Sequence, residues 1–164
     1  MIIVEEALKD LFATLPTVDV AGSSYAVNFD FGSHEDLLLY LRQKALEQAN
    51  VYPLIWLETP IEKKGDSKVE IDLRLIIATL TNSEISNVER LDITFKPIII
   101  PVLKNVIKAL EQSGFTEILN PESKSITNFF NYGINEHVAT DIWDAAKLQC
   151  KLQLTNSCKK NINY

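Results

Sequence analysis

Glycine and histidine are scarce here: five glycines and only two histidines, His34 and His137, in 164 residues. So few glycines leave little material for phosphate-cradling loops, and no nucleophile elbow, phosphate loop, dinucleotide glycine pattern or metalloprotease helix appears. Cysteine is as rare. Cys150 and Cys158 have no second pair to complete a zinc pattern. Cys150 alternates with Leu148, Leu152 and Leu154, which marks it as a small core residue, while Cys158 sits in a polar tail. No run approaches the roughly 18 apolar residues of a membrane span. Met1-Ile2-Ile3-Val4 leads directly into Glu5 and Glu6, without the basic leader and long apolar segment of a secretory signal. The expectation is a protein of the cytoplasm, or of a particle assembled there, with no membrane partner. Positive charge is also short: 16 Lys and Arg against 22 Asp and Glu, a net charge of -6. That balance argues against a surface built to grip phosphate backbones.

A hydrophobic content of 46% with 23% charged residues suits one globular domain, folded over 1–155 with a polar tail at 156–164. Ala7, Leu8, Leu11, Phe12 and Leu15 recur at helical spacing over Glu5 to Leu15, before Pro16. Ser24 to Phe31 alternates Tyr25, Val27, Phe29 and Phe31 against smaller or polar residues, the period of a strand. Ser33 then caps a helix whose first turn holds Glu35 and Asp36 and which runs to about Ala49.

The stretch from 51 to 82 is the most informative. An apolar run, Val51-Tyr52-Pro53-Leu54-Ile55-Trp56-Leu57, collapses into Glu62-Lys63-Lys64-Gly65-Asp66. The chain then returns through Lys68-Val69-Glu70-Ile71-Asp72-Leu73-Arg74, with one face apolar and the other charged. From Leu75 to Leu80 both faces turn apolar or small, which fits burial on two sides. This reads as a hairpin whose base lies in the core and whose arm projects past it. Farther on, Ile98, Ile99, Val102, Leu103, Val106, Ile107 and Leu110 predict a helix starting near Pro97 or at Pro101 and stopping at Ser113-Gly114. Phe115 to Leu119 reads as a short strand. Asn120 to Thr140 shows no sustained period, yet holds Phe129-Phe130-Asn131-Tyr132-Gly133. Ala146 to Thr155 alternates again, as a half-exposed last strand. The sum is an α+β domain with about four mainly antiparallel strands, about three helices against one face and a protruding hairpin.

Catalytic candidates are thin. His34 falls in a helix cap and His137 beside Glu136 in a polar loop. The carboxylate pairs Glu35 with Asp36 and Asp141 with Asp144 read as capping charge and as a solvated strand approach. Trp56 and Trp143 read as core anchors. Lys63-Lys64 stands either as a solvated turn or as a docking contact. No metal or cofactor is called for. What rises above this background is sticky edge, formed by the hairpin with one apolar face, the aromatic segment and the half-exposed last strand; the equal alternative is that the subunit's own helices or loops cover all of it.

The order of these elements resembles the tail completion or tail terminator proteins of long-tailed bacteriophages, and the related neck ring proteins of phages infecting Bacteroidetes. The pieces that carry the resemblance are 51–57, the hairpin 58–69, Leu75-Ile76-Ile77-Ala78-Thr79-Leu80-Thr81, Thr94-Phe95-Lys96-Pro97 and Asp141-Ile142-Trp143-Asp144-Ala145-Ala146. The resemblance implies a virion protein, assembled in the host cytoplasm, that forms a homo-oligomeric, typically sixfold ring at the head–tail junction. Neighbouring neck, connector and tail-tube proteins would be its partners, and DNA would pass through only as cargo. The hairpin would reach to the next subunit, with its apolar face buried only when that subunit arrives. Candidate inter-subunit or partner contacts are therefore Ile61, Glu62, Lys63, Lys64, Val69 and Ile71, together with Phe129, Phe130 and Tyr132. Two other readings compete. One is a cytoplasmic adaptor that recognises a partner protein through the aromatic segment. The other is a small enzyme using His34 or His137.

Overall fold

The computed structural model describes residues 2–47, 49–65, 67–82, 84–132, 142–155 and 164. Helix α1, Val4–Phe12, buries Val4, Leu8, Leu11 and Phe12 along one stripe, the spacing that puts apolar side chains on one side of a helix. A small hairpin follows, β1 (Val18–Val20) with β2 (Ser23–Tyr25). The single strand expected over Ser24 to Phe31 is split, because the chain leaves this hairpin at 26–27 before entering β3, Asn28–Gly32.

Helix α2, His34–Leu46, starts on a reciprocal cap: Asp36 N–H donates to Ser33 Oγ at 3.1 Å and Ser33 N–H to Asp36 Oδ2 at 2.8 Å. Two of the helix's orphan donors are satisfied in this way. Gly32, just before it, accepts a bond from Trp56 Nε1 at 3.2 Å, and a Cβ there would lie 2.8 Å from the tryptophan ring. A side chain at this position has no room.

The main sheet runs β3-β4-β5-β8-β6, with β4 at Leu54–Glu58, β5 at Lys68–Leu80, β6 at Thr116–Leu119 and β8 at Trp143–Thr155. A sixth strand, β7 (Ser125–Tyr132), pairs with β8 beyond the end of β6, so β6 and β7 together form one broken edge. β3 is parallel to β4 and the other pairings are antiparallel. The sheet therefore has six strands where the sequence suggested about four, and it is mixed through the one parallel pair β3–β4, the other pairings being antiparallel as expected. The strand that the sequence did not announce is β7, an edge strand without a clean alternation.

Between α2 and the end of the sheet lies the longest helical run. α3 (Asn87–Arg90), a π-helical segment (Leu91–Ile99) and α4 (Ile100–Gln112) follow one another without a break. The helix thus begins ten residues before Pro97, and Thr94-Phe95 belongs to it. Its start is a second reciprocal cap, Ser86 with Glu89. Pro97 lies in the π-helical part, where the wider turn eases the clash of a proline ring with the preceding carbonyl.

Two apolar clusters sit on opposite sides of the sheet. The larger gathers α1, Phe95, Ile99 and α4 against Ile55, Leu57, Val69, Ile71, Leu73, Leu75, Ile77 and the leucines of β8. The smaller gathers Leu37, Leu38 and Leu41 of α2 against Leu54, Trp56, Ile76, Ala78, Trp143 and Ala145. Helices therefore cover both faces, contrary to the one-face expectation. No helix among the described residues is long and apolar enough to cross a membrane.

Candidate functional site

The connection between β4 and β5 does not project as a free arm. Lys64 and Glu70 exchange two backbone bonds, at 3.0 and 2.8 Å, and Arg74 Nη2 donates to Pro60 O at 3.2 Å. Lys63 reaches Glu5 of α1 at 3.3 Å, and Ile61 packs against the larger core. Gly65 turns the chain at φ 93°, where a Cβ would strike Lys68 O. Val69 and Ile71, expected to await a neighbour, are 4% and 3% exposed within the single chain. The reason is β8, which pairs with β5 over its whole length, from Leu80↔Trp143 to Lys68↔Thr155. The arm's apolar side thus joins the subunit's own core. Glu62 and Lys64 remain at the rim, 3.9 Å apart and largely exposed, a geometry worth little in water.

The aromatic segment is also committed internally. It forms β7, so the absence of structure expected there does not hold for Ser125–Tyr132. Phe130 packs on Phe95 with ring centroids 4.8 Å apart, and Phe129 on Tyr132 at 5.4 Å. Tyr132 in turn meets His34 edge-on, its hydroxyl 3.4 Å from His34 Nδ1. Asp66, Gly133, Glu136, His137, Asp141 and Cys158 lie outside the described residues.

Among the described residues, half of one sheet face remains open. β5 and β8 each have 13 residues, roughly 43 Å of strand, whereas α2 is about 20 Å long and covers only the end from Ile76 upward. Below it, Lys68, Glu70, Asp72 and Arg74 on β5 share a face with Gln149, Lys151 and Gln153 on β8. Arg74 is used by Pro60, and Lys147, at the margin, is held by Glu58 at 2.7 Å. Among the described residues, Lys68, Glu70, Asp72 and Lys151 make no side-chain hydrogen bond or ion pair within the subunit. Asp72 nevertheless stands directly opposite Lys151 in the ladder. Among the described residues, Lys68, Glu70, Asp72 and Lys151 are exposed.

Sequence reasoning missed the most consequential charge. Asp144, taken as part of a solvated approach, is completely buried and lies on the face covered by the long helix. Its Oδ1 is 3.3 Å from Arg90 Nη1 and its Oδ2 accepts from Thr94 Oγ1 at 2.7 Å. Arg90 also donates to Asn82 O at 2.7 Å and to Ile85 O at 3.2 Å. One guanidinium thus ties the turn after β5, the start of the long helix and the first residues of β8. The partners are 54 residues apart, so neither strand pattern nor helix pattern reveals the other. Trp56 and Trp143 are core anchors, 2% and 1% exposed. Cys150 is buried, and that burial pushes its thiol up to about 11 despite the opposing influence of Lys124, so it is protonated near neutrality.

A cleft of about 500 Å3 opens beside α2, lined in part by Val18, Tyr25, Lys44, Val51, Leu80 and Ile98. Lys44, the cation among its described lining residues, is held by Glu47 at 2.7 Å. No model of a known protein family and no curated protein matches this chain.

Proposed function

We propose that the chain is a structural subunit of a tailed bacteriophage particle, building an oligomeric ring at the head–tail junction through which DNA passes. The observation that supports it is the bare half-face of the sheet, bounded by the Glu62–Lys64 rim. A surface of alternating charge, backed by a full apolar core, suits contact with another subunit better than turnover of a small molecule. Electrostatic complementarity of this kind fixes orientation and partner choice. The net charge of -6 fits a channel that lets DNA pass without holding it. Neighbouring neck, connector and tail-tube proteins would sit above and below the ring.

The adaptor reading has less to offer, because Phe130 and Tyr132 are spent on Phe95 and His34. The test is native mass spectrometry of the purified chain across a concentration series, with negative-stain images of the same samples. Discrete closed rings, sixfold or near it, are expected. Reversing the face with Glu70→Lys and Asp72→Lys together should shift the population toward monomer while leaving the far-ultraviolet circular dichroism unchanged. Stable one-to-one complexes with a partner, and no rings at any concentration, would overturn the reading.

A further inference from the structure

The bare half-face carries charge of both signs in a fixed order. The isolated bridge of Lys64 with Glu70 and the ladders β5–β8 and β6–β8 set four segments side by side. Across them one row reads Lys64, Glu70, Gln153 and Glu117, and the next reads Asp72, Lys151 and Leu119 on β5, β8 and β6. Alternate residues of a strand share a face. The residues between these rows, Ile71, Leu152 and Ile118, are buried in the larger core, so both rows lie on the outer side. Among the described residues, Glu70, Asp72, Glu117 and Lys151 make no side-chain hydrogen bond or ion pair within the subunit, and Lys64 has only its exposed 3.9 Å contact with Glu62.

This order is complementary to itself. A two-fold axis running along the strands, over the face and midway between β5 and β8, exchanges the four segments in reverse order. It sets Asp72 of one copy over Lys151 of the other, Lys64 over Glu117 and Glu70 over Gln153, and each contact then occurs twice. Lys68 falls opposite Thr155 and Arg74 opposite Gln149. No like charges meet in these rows. The face is also neutral, because Lys64, Lys68, Arg74 and Lys151 balance Glu62, Glu70, Asp72 and Glu117, so the net charge of -6 lies elsewhere on the chain. Copies that repel through the rest of their surface are spared that repulsion here.

Resting on the reading of this face as a contact between subunits, we infer that its partner is a second copy of this chain turned about that axis, with Asp72 and Lys151 of each subunit completed by Lys151 and Asp72 of the other. The charge pairs fix orientation and register. Strand spacings make the patch about 14 Å across and about 20 Å long, small for a stable interface. Exposed charges are screened by salt, so the joint is weak and salt-sensitive. It closes after two copies, and contacts elsewhere on the surface complete a ring.

The test is sedimentation equilibrium of the full chain in low-salt buffer with a thiol reductant. The parent should self-associate, and about 0.5 M sodium chloride should weaken that association about tenfold or more. Asp72→Lys and Lys151→Glu should each weaken it by about tenfold or more as well, since symmetry makes each substitution count twice. Both variants should melt like the parent, because the two side chains are exposed. Mixing the two variants should restore association between unlike chains, each supplying the charge that the other has lost. A chain carrying both substitutions should again associate with itself. Rings or dimers that persist in both single variants, or variants that stay apart on mixing, would overturn the two-fold joint and leave the ring reading to its own test. Pairs rescued by mixing, with no ring at any concentration, would uphold the joint and overturn the ring. A parent that is monomeric at every concentration in low salt would overturn both.

Discussion

Arg90 with Asp144, and Asp72 with Lys151, are similar pairs of charges set in opposite surroundings. The first is sealed under the long helix at 1% and 0% exposure, with Thr94 and two backbone carbonyls completing its bonds. The second stands on the bare face, opposed in register yet unbonded within the subunit. Burial makes the difference. A charge removed from water must be fully partnered or it destabilises the fold, whereas a charge in water needs no partner and is free to find one elsewhere.

The comparison breaks most visibly at Asp144. Asp144→Ala leaves Arg90 buried without its carboxylate, and the expected loss is about 3–5 kcal/mol of unfolding free energy, read by urea titration. Replacing both partners, Arg90→Met with Asp144→Leu, should recover most of that loss, because the uncompensated charge goes with them. A single-variant loss below about 1 kcal/mol would show that the cluster does not fix the helix.

How much of this was legible in the sequence depends on where the cause of each feature lies. β5 was read at its true bounds, Lys68–Leu80, because its pattern reports its own cover. The change from one apolar face to two at Leu75 marks where α2 begins to cover the second face. The start of the long helix was obscured by Pro97 and Pro101, which drew attention away from Ser86-Asn87-Val88-Glu89, a capping signature that stood in plain sight. β7 was missed because an edge strand covered unevenly on both sides has no reason to alternate. Asp144 was unreadable, since its partner comes from another element 54 residues away. The same limit applies to the candidate contacts. Glu62, Lys63 and Lys64 do lie at a rim. Val69 and Ile71 were misassigned because β8, not a neighbouring subunit, completes their sheet.

The Ser86 cap gives a smaller test of how the long helix is held. Ser86→Ala removes the acceptor for Glu89 N–H, and about 1 kcal/mol should be lost. Ser33→Ala at the start of α2 should cost a similar amount, since the two caps share one geometry. A much larger loss at Ser86 would mean that the cap and the Arg90 cluster are coupled, a point that the double variant with Asp144→Ala measures directly.

On the bare face the expected change in stability is smaller still. Lys151→Glu should alter unfolding free energy by no more than about 0.5 kcal/mol, while changing the oligomer distribution seen in native mass spectrometry. Stability and assembly separate on this face, and they do not separate at Asp144.

Acid provides the finest comparison, because the capping carboxylates are exposed yet bonded. Bonds from the Ser33 side chain and backbone hold Asp36 below its ordinary value of 3.8, and bonds from the Ser86 backbone and side chain hold Glu89 below 4.5. A carboxylate with a depressed folded-state value binds protons less readily when folded. Its contribution is complete above the unfolded value and disappears as pH falls through the folded one. Asp36→Asn combined with Glu89→Gln should therefore flatten the decline of stability below pH about 4.5 while leaving its pH dependence near neutrality unchanged. An equally steep decline in the double variant would move the acid sensitivity to carboxylates other than the two caps, and the caps would then act through geometry without their charge.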